Sequence, residues 1–384
     1  MSEPFSGPAL RYEHPDYLDE AAHANLKTAA ESRLDLLSLA DERGLVKTAD
    51  ILRPLFREWG DDPAVLLPYP TTDPRWQGQL ARIVLDAFGG EAVPTDRIFF
   101  GDGTYELFKE LAGFVLRKGV LLGAGPVYPE FAGYFAAAGG RFRAVLDPDD
   151  AGRFPAEALA RAVETEPDAV AVYADLPYNA TGGLPSRDSV LALVEHAARR
   201  DLLVVVDEAY ANFLGPKPSF VGDVLRHDNL VVLRSLSKGF DLRGLRFGFV
   251  AAGVRAAAVI DRIRSPYAPS QPAARAALRL LTTAPDVVRP LTEAVTASKA
   301  RILGAAAAKG LLVRPTHSAT PNLMLRSPDA RDPLGPRLAR LGVRVGLGTQ
   351  FASTADGRLD ADVRFRVPLA EDRAALLTSV FAAL

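Results

Sequence analysis

The chain has 384 residues, of which 48% are hydrophobic and 24% charged, and its formal net charge is −2 at pH 7. This length predicts two or three domains with a substantial core, and the near-neutral charge gives no reason to expect nucleic acid or an anionic membrane as a partner. The absence of cysteine excludes disulfides, cysteine nucleophiles and thiolate metal sites. Because residues 1–14 lack an apolar signal core and no apolar run reaches about eighteen residues, we expect a soluble cytoplasmic protein.

The first part of the chain, to about residue 60, is predicted to form an N-terminal arm and helices. From about residue 61, short apolar runs alternate with amphipathic helical patterns, and this alternation predicts a mostly parallel sheet that is covered on both faces. The predicted strands are 97–100, 120–122, 143–146, 169–173, 202–206, 230–233 and 247–251. The predicted helices between them include 105–117, 130–138, 155–164 and 187–200.

The last part of the chain, after about residue 270, changes character. Helical patterns cover 273–281 and 287–309, and strands are predicted at 322–325, 343–346 and 363–368. We therefore expect three sections: an N-terminal arm over residues 1–60, a large domain over 61–270, and a smaller α+β domain over 271–384.

Lys238 lies on a Ser- and Gly-rich loop between two apolar runs that are predicted as buried strands. A lysine in such a place is unfavourable unless it is paired or chemically used. Ser235 and Ser237 precede it and Arg246 follows, and together these side chains suit a dianionic phosphate. An amine beside a phosphate site is what an enzyme that uses pyridoxal 5'-phosphate (PLP) needs.

This segment resembles the cofactor-lysine motif of the class I/II aminotransferases, with the pattern S/T-x-S-K-x(5)-G-x-R-x-G. That family of fold-type I PLP enzymes includes histidinol-phosphate aminotransferase and aminocyclopropane-carboxylate synthase. The resemblance implies a fold-type I α/β structure, in which a large domain with a mostly parallel seven-stranded sheet accompanies a smaller domain built from both chain ends. It also implies PLP as cofactor, an amino acid as substrate and a homodimer.

Asp207 follows the apolar run 202–206 directly, and Tyr210 comes three residues later. Taken alone, Asp207 could be a helix N-cap and Tyr210 a core aromatic residue. A carboxylate at a buried strand end otherwise needs a cationic partner, because an unpaired one would become protonated. The resemblance implies that Asp207 pairs with the PLP ring nitrogen and that Tyr210 binds the ring oxygen.

A loop over residues 175–183 contains Asn179 and follows the strand predicted at 169–173. Its Pro, Asn and Gly residues are typical of a turn. The loop also resembles the family's N-P-x-N-P-T-G sequence, which implies that Asn179 donates to the PLP ring oxygen. Leu176, Tyr178 and Ala180 depart from the family pattern.

Two further loops follow predicted strands. Gly103, Thr104 and Tyr105 join a strand to a helix, and a helix start of this kind either has a simple Thr cap or binds an anion. The resemblance to the family's G-x-G-S-x-E loop implies that these three residues bind the phosphate. Tyr128 stands where the family places the ring that stacks on PLP.

Arg364 and Arg366 alternate with apolar residues near the C-terminus, so they share one face of a predicted strand. A solvated edge strand explains this pattern as well as a binding site does. The resemblance to the family's R-V-x-x-A/G strand implies that Arg366 binds the substrate α-carboxylate, with Arg364 as the reserve choice. Tyr69 is our choice for the tyrosine that reaches the phosphate of the neighbouring subunit. The five histidines show no metal-ligand spacing.

The motifs predict PLP chemistry at the substrate α-carbon without deciding the reaction. The first hypothesis is transamination of an amino acid. The second is elimination, γ-replacement or carbon–carbon bond formation on an amino acid such as S-adenosylmethionine, because residues 39–42, 207–210 with 220–221, and 365–367 resemble aminocyclopropane-carboxylate synthase. The third hypothesis is a PLP-binding regulator. Such proteins usually carry a separate DNA-binding domain, and we expect no spare length for one in this sequence.

Overall fold

The structure is a computed structural model that describes residues 33–36, 47–62, 74–116, 118–147, 149, 152–215, 218–329, 331–351 and 359–384. Tyr69 and residues 39–42 lie outside these ranges. Within the described ranges, no helix combines the length and the apolar character that a membrane span requires.

The central sheet has seven strands, β2 (Ile98–Gly101), β3 (Val120–Ala124), β4 (Arg141–Val145), β5 (Ala169–Asp175), β6 (Leu203–Asp207), β7 (Leu230–Ser235) and β8 (Gly248–Ala252). Their order across the sheet is β2-β8-β7-β6-β5-β3-β4. All neighbours pair in parallel except β8, which is antiparallel to β7 and to β2. The sheet confirms the α/β fold class predicted from the alternating pattern.

Helices cover both faces of this sheet. Along β6, Leu203 and Val205 pack into one apolar cluster while Val204 and Val206 pack into another, because successive strand residues point to opposite faces. The described helices in this part of the chain are α1 (Thr48–Asp61), α2 (Pro74–Ala87), α3 (Thr104–Glu110), α4 (Pro129–Ala137), α5 (Ala156–Thr165), α6 (Arg187–Ala198), α7 (Val254–Ile263) and α8 (Gln271–Thr283). A π-helical turn, Leu111–Val115, continues α3.

A second apolar core forms around the long helix α9 (Arg289–Ala308) and a small antiparallel sheet. That sheet contains β9 (Leu312–Val313), β10 (Asn322–Arg326), β12 (Gly346–Leu347) and β13 (Asp362–Arg366), with α10 (Leu334–Arg340) and α11 (Glu371–Ala383) beside it. A short N-terminal strand, β1 (Leu34–Asp35), pairs in parallel with β11 (Val343–Arg344), so both ends of the chain contribute to this region. The domain boundaries near residues 60 and 270 stay predictions.

The strand predicted at 343–346 divides between two sheets. β11 pairs with β1, whereas β12 pairs with β13 in antiparallel fashion. The local apolar pattern predicts an extended segment there. It does not show that the two halves of the segment pair with different strands, because strand pairing depends on contacts far away in the sequence. Tyr210 and Phe213, which follow β6, also pack into the second core. The carboxyl end of the central sheet therefore meets the second core.

Candidate active site

Most of the predicted site residues lie next to strand ends at one edge of the central sheet. Asp175 pairs with Asp207, and Gly248 pairs with both Ser235 and Gly101. Because β8 runs antiparallel to its neighbours, its first residue lies beside the last residues of β2 and β7. This register explains how loops far apart in sequence converge at one edge.

Asp207 is buried at the end of β6. Its Oδ2 accepts a hydrogen bond from the Tyr173 hydroxyl at 3.2 Å, and its Oδ1 accepts one from the Ala209 amide at 2.9 Å. Burial raises the pKa of Asp207 to about 7, and the neighbouring Glu208 carboxylate adds to this rise, whereas the two hydrogen bonds and the charge of Lys238 oppose it. A cation placed against this carboxyl group would favour its ionised form.

The lysine loop is held by hydrogen bonds to its backbone. The Asn212 amide donates to the carbonyl oxygens of Ser235 and Lys238, each at 2.7 Å. The Ser235 hydroxyl donates to the Phe247 carbonyl at 3.2 Å and accepts from the Ser237 amide at 2.9 Å. These contacts fix the path of the loop and leave the Lys238 Nζ 5.8 Å from the centroid of the Tyr210 ring.

A narrow cradle forms where α3 begins. Gly103 has a φ of +85°, and a Cβ built on it would lie 2.4 Å from Arg246 Nη2. A Cβ on Gly248 would lie 2.8 Å from the Thr104 amide nitrogen. Arg246 Nη1 contacts the Ser237 hydroxyl at 3.5 Å and donates to the Arg243 carbonyl at 3.0 Å. Glycines at these two positions thus bring a guanidinium and the start of a helix together, which suits an anion.

Both predicted C-terminal arginines are buried and face the site. Arg366 Nη1 donates to the Tyr210 hydroxyl at 3.0 Å. Arg364 donates to Asn179, through Nε to its carbonyl at 3.3 Å and through Nη2 to its Oδ1 at 3.4 Å, and Nη2 also donates to Asn322 Oδ1 at 2.8 Å. The structure therefore brings Asn179, Tyr210 and both arginines together.

The positive charges around Tyr210 affect its hydroxyl. Burial alone would raise its pKa, but the charges of Lys238 and Arg364, together with hydrogen bonds, outweigh burial and lower the pKa. Asp175 behaves in the opposite way, because burial raises its pKa well above the usual range although its Oδ2 accepts a hydrogen bond from the backbone N–H of Asn179 at 3.0 Å. The edge of the sheet thus combines lowered and raised proton affinities, as catalytic sites do.

The two other predicted site tyrosines that the structure describes, Tyr105 and Tyr128, lie at the starts of α3 and α4. The Tyr105 ring is 41% exposed and meets the Tyr134 ring edge-on at 4.8 Å between centroids. Its backbone, by contrast, lies in the first turn of α3. Tyr128 is half-buried immediately before α4, against the apolar cluster on that face.

Several supporting residues were missed by sequence reasoning. Arg234 is fully buried and donates to Glu208 Oε2 and to Asn212 Oδ1, each at 2.7 Å. Asn212 in turn holds the lysine loop, and Tyr173 holds Asp207. The sequence signal for Arg234 is a charged residue that directly continues the apolar strand run 230–233.

The family model for aminotransferase class I and II matches residues 68–308 of this chain. The chain belongs to this family. Members of the class I and II aminotransferases depend on PLP.

Curated relatives match over part of their length. The chain is 42% identical to histidinol-phosphate aminotransferase of Aeromonas salmonicida over 115 residues, which are 30% of this chain and 32% of that protein. It is 30% identical to histidinol-phosphate aminotransferase of Ruminiclostridium cellulolyticum over 209 residues, which are 54% of this chain and 55% of that protein. The alignments thus span about a third to about half of these relatives.

The fold matches solved aminotransferases over most of the chain. Histidinol-phosphate aminotransferase of Sinorhizobium meliloti, solved in complex with PLP, aligns with a TM-score of 0.72 at 23% identity and covers 92% of each chain. This likeness shows the fold-type I architecture predicted from the sequence.

The geometry of the edge fits PLP. The Gly103–Arg246 cradle suits a phosphate, and the buried carboxyl of Asp207 suits a protonated ring nitrogen. In the strand order β2-β8-β7-β6, β7, which leads to Lys238, lies between β2, which leads to Gly103, and β6, which ends at Asp207. Among the residues that the structure describes, no group of three or more His, Cys, Asp or Glu side chains could hold a metal ion.

Proposed function

We propose that the protein is a PLP-dependent aminotransferase that transfers the amino group of an amino acid to a keto acid. The observation that carries the proposal is a continuous set of contacts at the sheet edge. The Lys238 amine faces the Tyr210 ring at 5.8 Å, and the hydroxyl of that tyrosine accepts from Arg366 at 3.0 Å. An amine and a guanidinium thus lie near one phenol ring, with Lys238 Nζ 5.8 Å and Arg366 Cζ 5.6 Å from its centroid.

The residues that would hold the cofactor surround this set. Lys238 would bind PLP covalently and Asp207 would pair with its ring nitrogen. Asn179 and Tyr210 would bind its ring oxygen, and Tyr128 would stack on its ring. The phosphate would be held by Gly103, Thr104, Tyr105, Ser235, Ser237 and Arg246, with Tyr69 as the further candidate from the neighbouring subunit.

PLP, when bound, supplies an electron sink for the charge that develops at the substrate α-carbon. Arg366 would hold the α-carboxylate with two parallel hydrogen bonds and thereby orient the α-carbon. Released from the cofactor by the substrate amino group that replaces it, Lys238 would act through Nζ as the general base that takes the α-proton. Asp207, which is buried, would stabilise positive charge on the ring nitrogen.

We also propose that the protein is a homodimer with sites shared between subunits, as the family resemblance implies, and that its large and small domains divide near residues 60 and 270. Light scattering of the purified protein tests the first point. A monomer that retains full activity would contradict it.

An amino-transfer assay tests the function. Purified protein with PLP is incubated with amino acids and 2-oxoglutarate, and glutamate is quantified; histidinol phosphate belongs among the donors because the curated relatives carry its name. We expect glutamate from at least one donor, and loss of at least about 10³-fold in rate for Lys238→Arg, which keeps the charge and removes the primary amine. Consumption of S-adenosylmethionine without glutamate formation would instead favour elimination or replacement chemistry.

A further inference from the structure

Lys299 lies on α9 and is only 1% exposed. Its three N–H donors lie within hydrogen-bond distance of five oxygen atoms in the segment 316–322: Thr316 Oγ1 at 2.5 Å, the carbonyl oxygens of His317 and Thr320 at 2.8 Å, Thr320 Oγ1 at 3.2 Å and the Asn322 carbonyl at 2.9 Å. Burial lowers the pKa of Lys299 to about 7, whereas these acceptors favour the charged form. A buried ammonium is tolerated only when its donors are satisfied. The loop therefore keeps the conformation in which its oxygen atoms surround the Lys299 ammonium.

The same loop contacts the turn that carries Asn179. The Gly182 carbonyl accepts from the His317 amide at 3.0 Å and from the Thr320 hydroxyl at 2.8 Å. A Cβ on Gly182 would lie 2.4 Å from Thr320 Oγ1 and 2.5 Å from the Asn322 carbonyl oxygen. The two segments therefore pack closely against each other, with no room for a side chain at Gly182.

A closed ring of hydrogen bonds results. Lys299 holds the Asn322 carbonyl, Asn322 Oδ1 accepts from Arg364, and Arg364 donates to both oxygens of Asn179. The turn from Asn179 leads back to Gly182 and so to the loop around Lys299. Because arginine only donates, the Asn179 atom that faces Arg364 is the amide oxygen, and the Nδ2 donor is turned away from it.

We propose that Lys299 is a positioning residue for the cofactor site, which acts by closing this ring and thereby fixing which atom of Asn179 faces the cofactor. The inference rests on the proposed function, since Asn179 would donate to the PLP ring oxygen. Lys299 reaches Asn179 only through Asn322 and Arg364, so it would contact neither the cofactor nor the substrate.

The holoenzyme offers a readout that is independent of turnover. The absorbance of bound PLP titrates with pH, and a donor at the ring oxygen favours the deprotonated form, so a misplaced donor raises the midpoint. We expect Lys299→Met and Thr320→Val to raise this midpoint by about 0.5 to 1 pH unit. Lys299→Arg, which keeps the charge, should stay nearer to the wild type. Ile302→Ala, which removes a fully buried side chain of the same helix, should lower Tm without moving the midpoint.

A double-mutant cycle separates positioning from general loosening. Asn179→Ala sets the full effect of losing the donor, and adding Lys299→Met to it should shift the midpoint no further. If Lys299→Met and Thr320→Val lower Tm as Ile302→Ala does and leave the midpoint unmoved, or if their shifts add to that of Asn179→Ala, Lys299 is only structural and the inference is overturned. Should Lys299→Met not fold, Thr320→Val and its cycle with Asn179→Ala decide the question. Absence of PLP bound to wild-type protein would instead refute the proposed function.

Discussion

The buried carboxyl of Asp207 should make the stability of the cofactor-free protein depend on pH. The perturbation is Asp207→Asn, which keeps the shape and removes the ionisation. Burial raises the pKa of Asp207 from 3.8 to about 7, which corresponds to about 4 kcal/mol. The pKa of Asp207 is higher in the folded than in the unfolded state. Its contribution to the free energy of unfolding is therefore complete below about pH 4 and is lost as the pH rises through about 7.

The free energy of unfolding of wild-type protein should therefore fall relative to that of the variant by about 1.4 kcal/mol per pH unit between pH 4 and 7. Urea denaturation of both cofactor-free proteins at four pH values measures this, and the difference between the two proteins removes the titration of all other groups. Asp96→Asn, whose side chain is 82% exposed, serves as the surface control. With PLP bound, the ring cation should largely abolish the slope. A wild-type-minus-variant difference that is constant from pH 4.5 to 7.5 would refute the reasoning.

Three other substitutions test the site. Arg366→Ala should weaken amino-acid binding about 30- to 100-fold in titrations of the cofactor absorbance while PLP affinity changes less than about threefold, and equal losses would count against its assignment to the carboxylate. Gly103→Ala should weaken PLP binding by at least about tenfold, because φ is +85° at this position and the added Cβ would collide with the Arg246 guanidinium. Gly304→Ala, where no atom lies within 4 Å of the added Cβ, should leave PLP binding unchanged. Fluorescence titration with PLP measures both affinities. Glu208→Ala should lower the free energy of unfolding by about 3–5 kcal/mol, because it removes the carboxylate that pairs with the fully buried Arg234. A loss below about 1 kcal/mol in urea denaturation would show that this ion pair is not needed for stability.

The parts of the site that follow strand ends could be predicted from the sequence. Asp207 comes directly after the apolar run 202–206, and Lys238 lies on the loop that follows the run 230–233. The position of such runs is a local property that the sequence reveals. Parallel pairing then places these ends at one edge, as the registers of β5, β6 and β7 show. The family motifs added the expected roles of Asn179, Tyr210 and Arg366, which the structure brings together and which remain proposals.

The supporting contacts could not be predicted in the same way. Tyr173 reads as a strand residue, and its hydrogen bond to Asp207 spans 34 positions of sequence. Lys299 reads as a polar residue in a helical pattern, but the oxygen atoms that satisfy it come from a loop that begins 17 residues later. Such burial depends on how two elements pack, and that packing leaves no periodic trace in the chain.

The attachment of the cofactor tests the account most directly. Protein purified with PLP is treated with borohydride, which makes a lysine–cofactor bond permanent, and is then digested and analysed by mass spectrometry alongside Lys238→Arg. The account predicts one pyridoxyl group on the peptide that contains Lys238 and none on the variant. A label on another lysine, or no label on the wild-type protein, would contradict it.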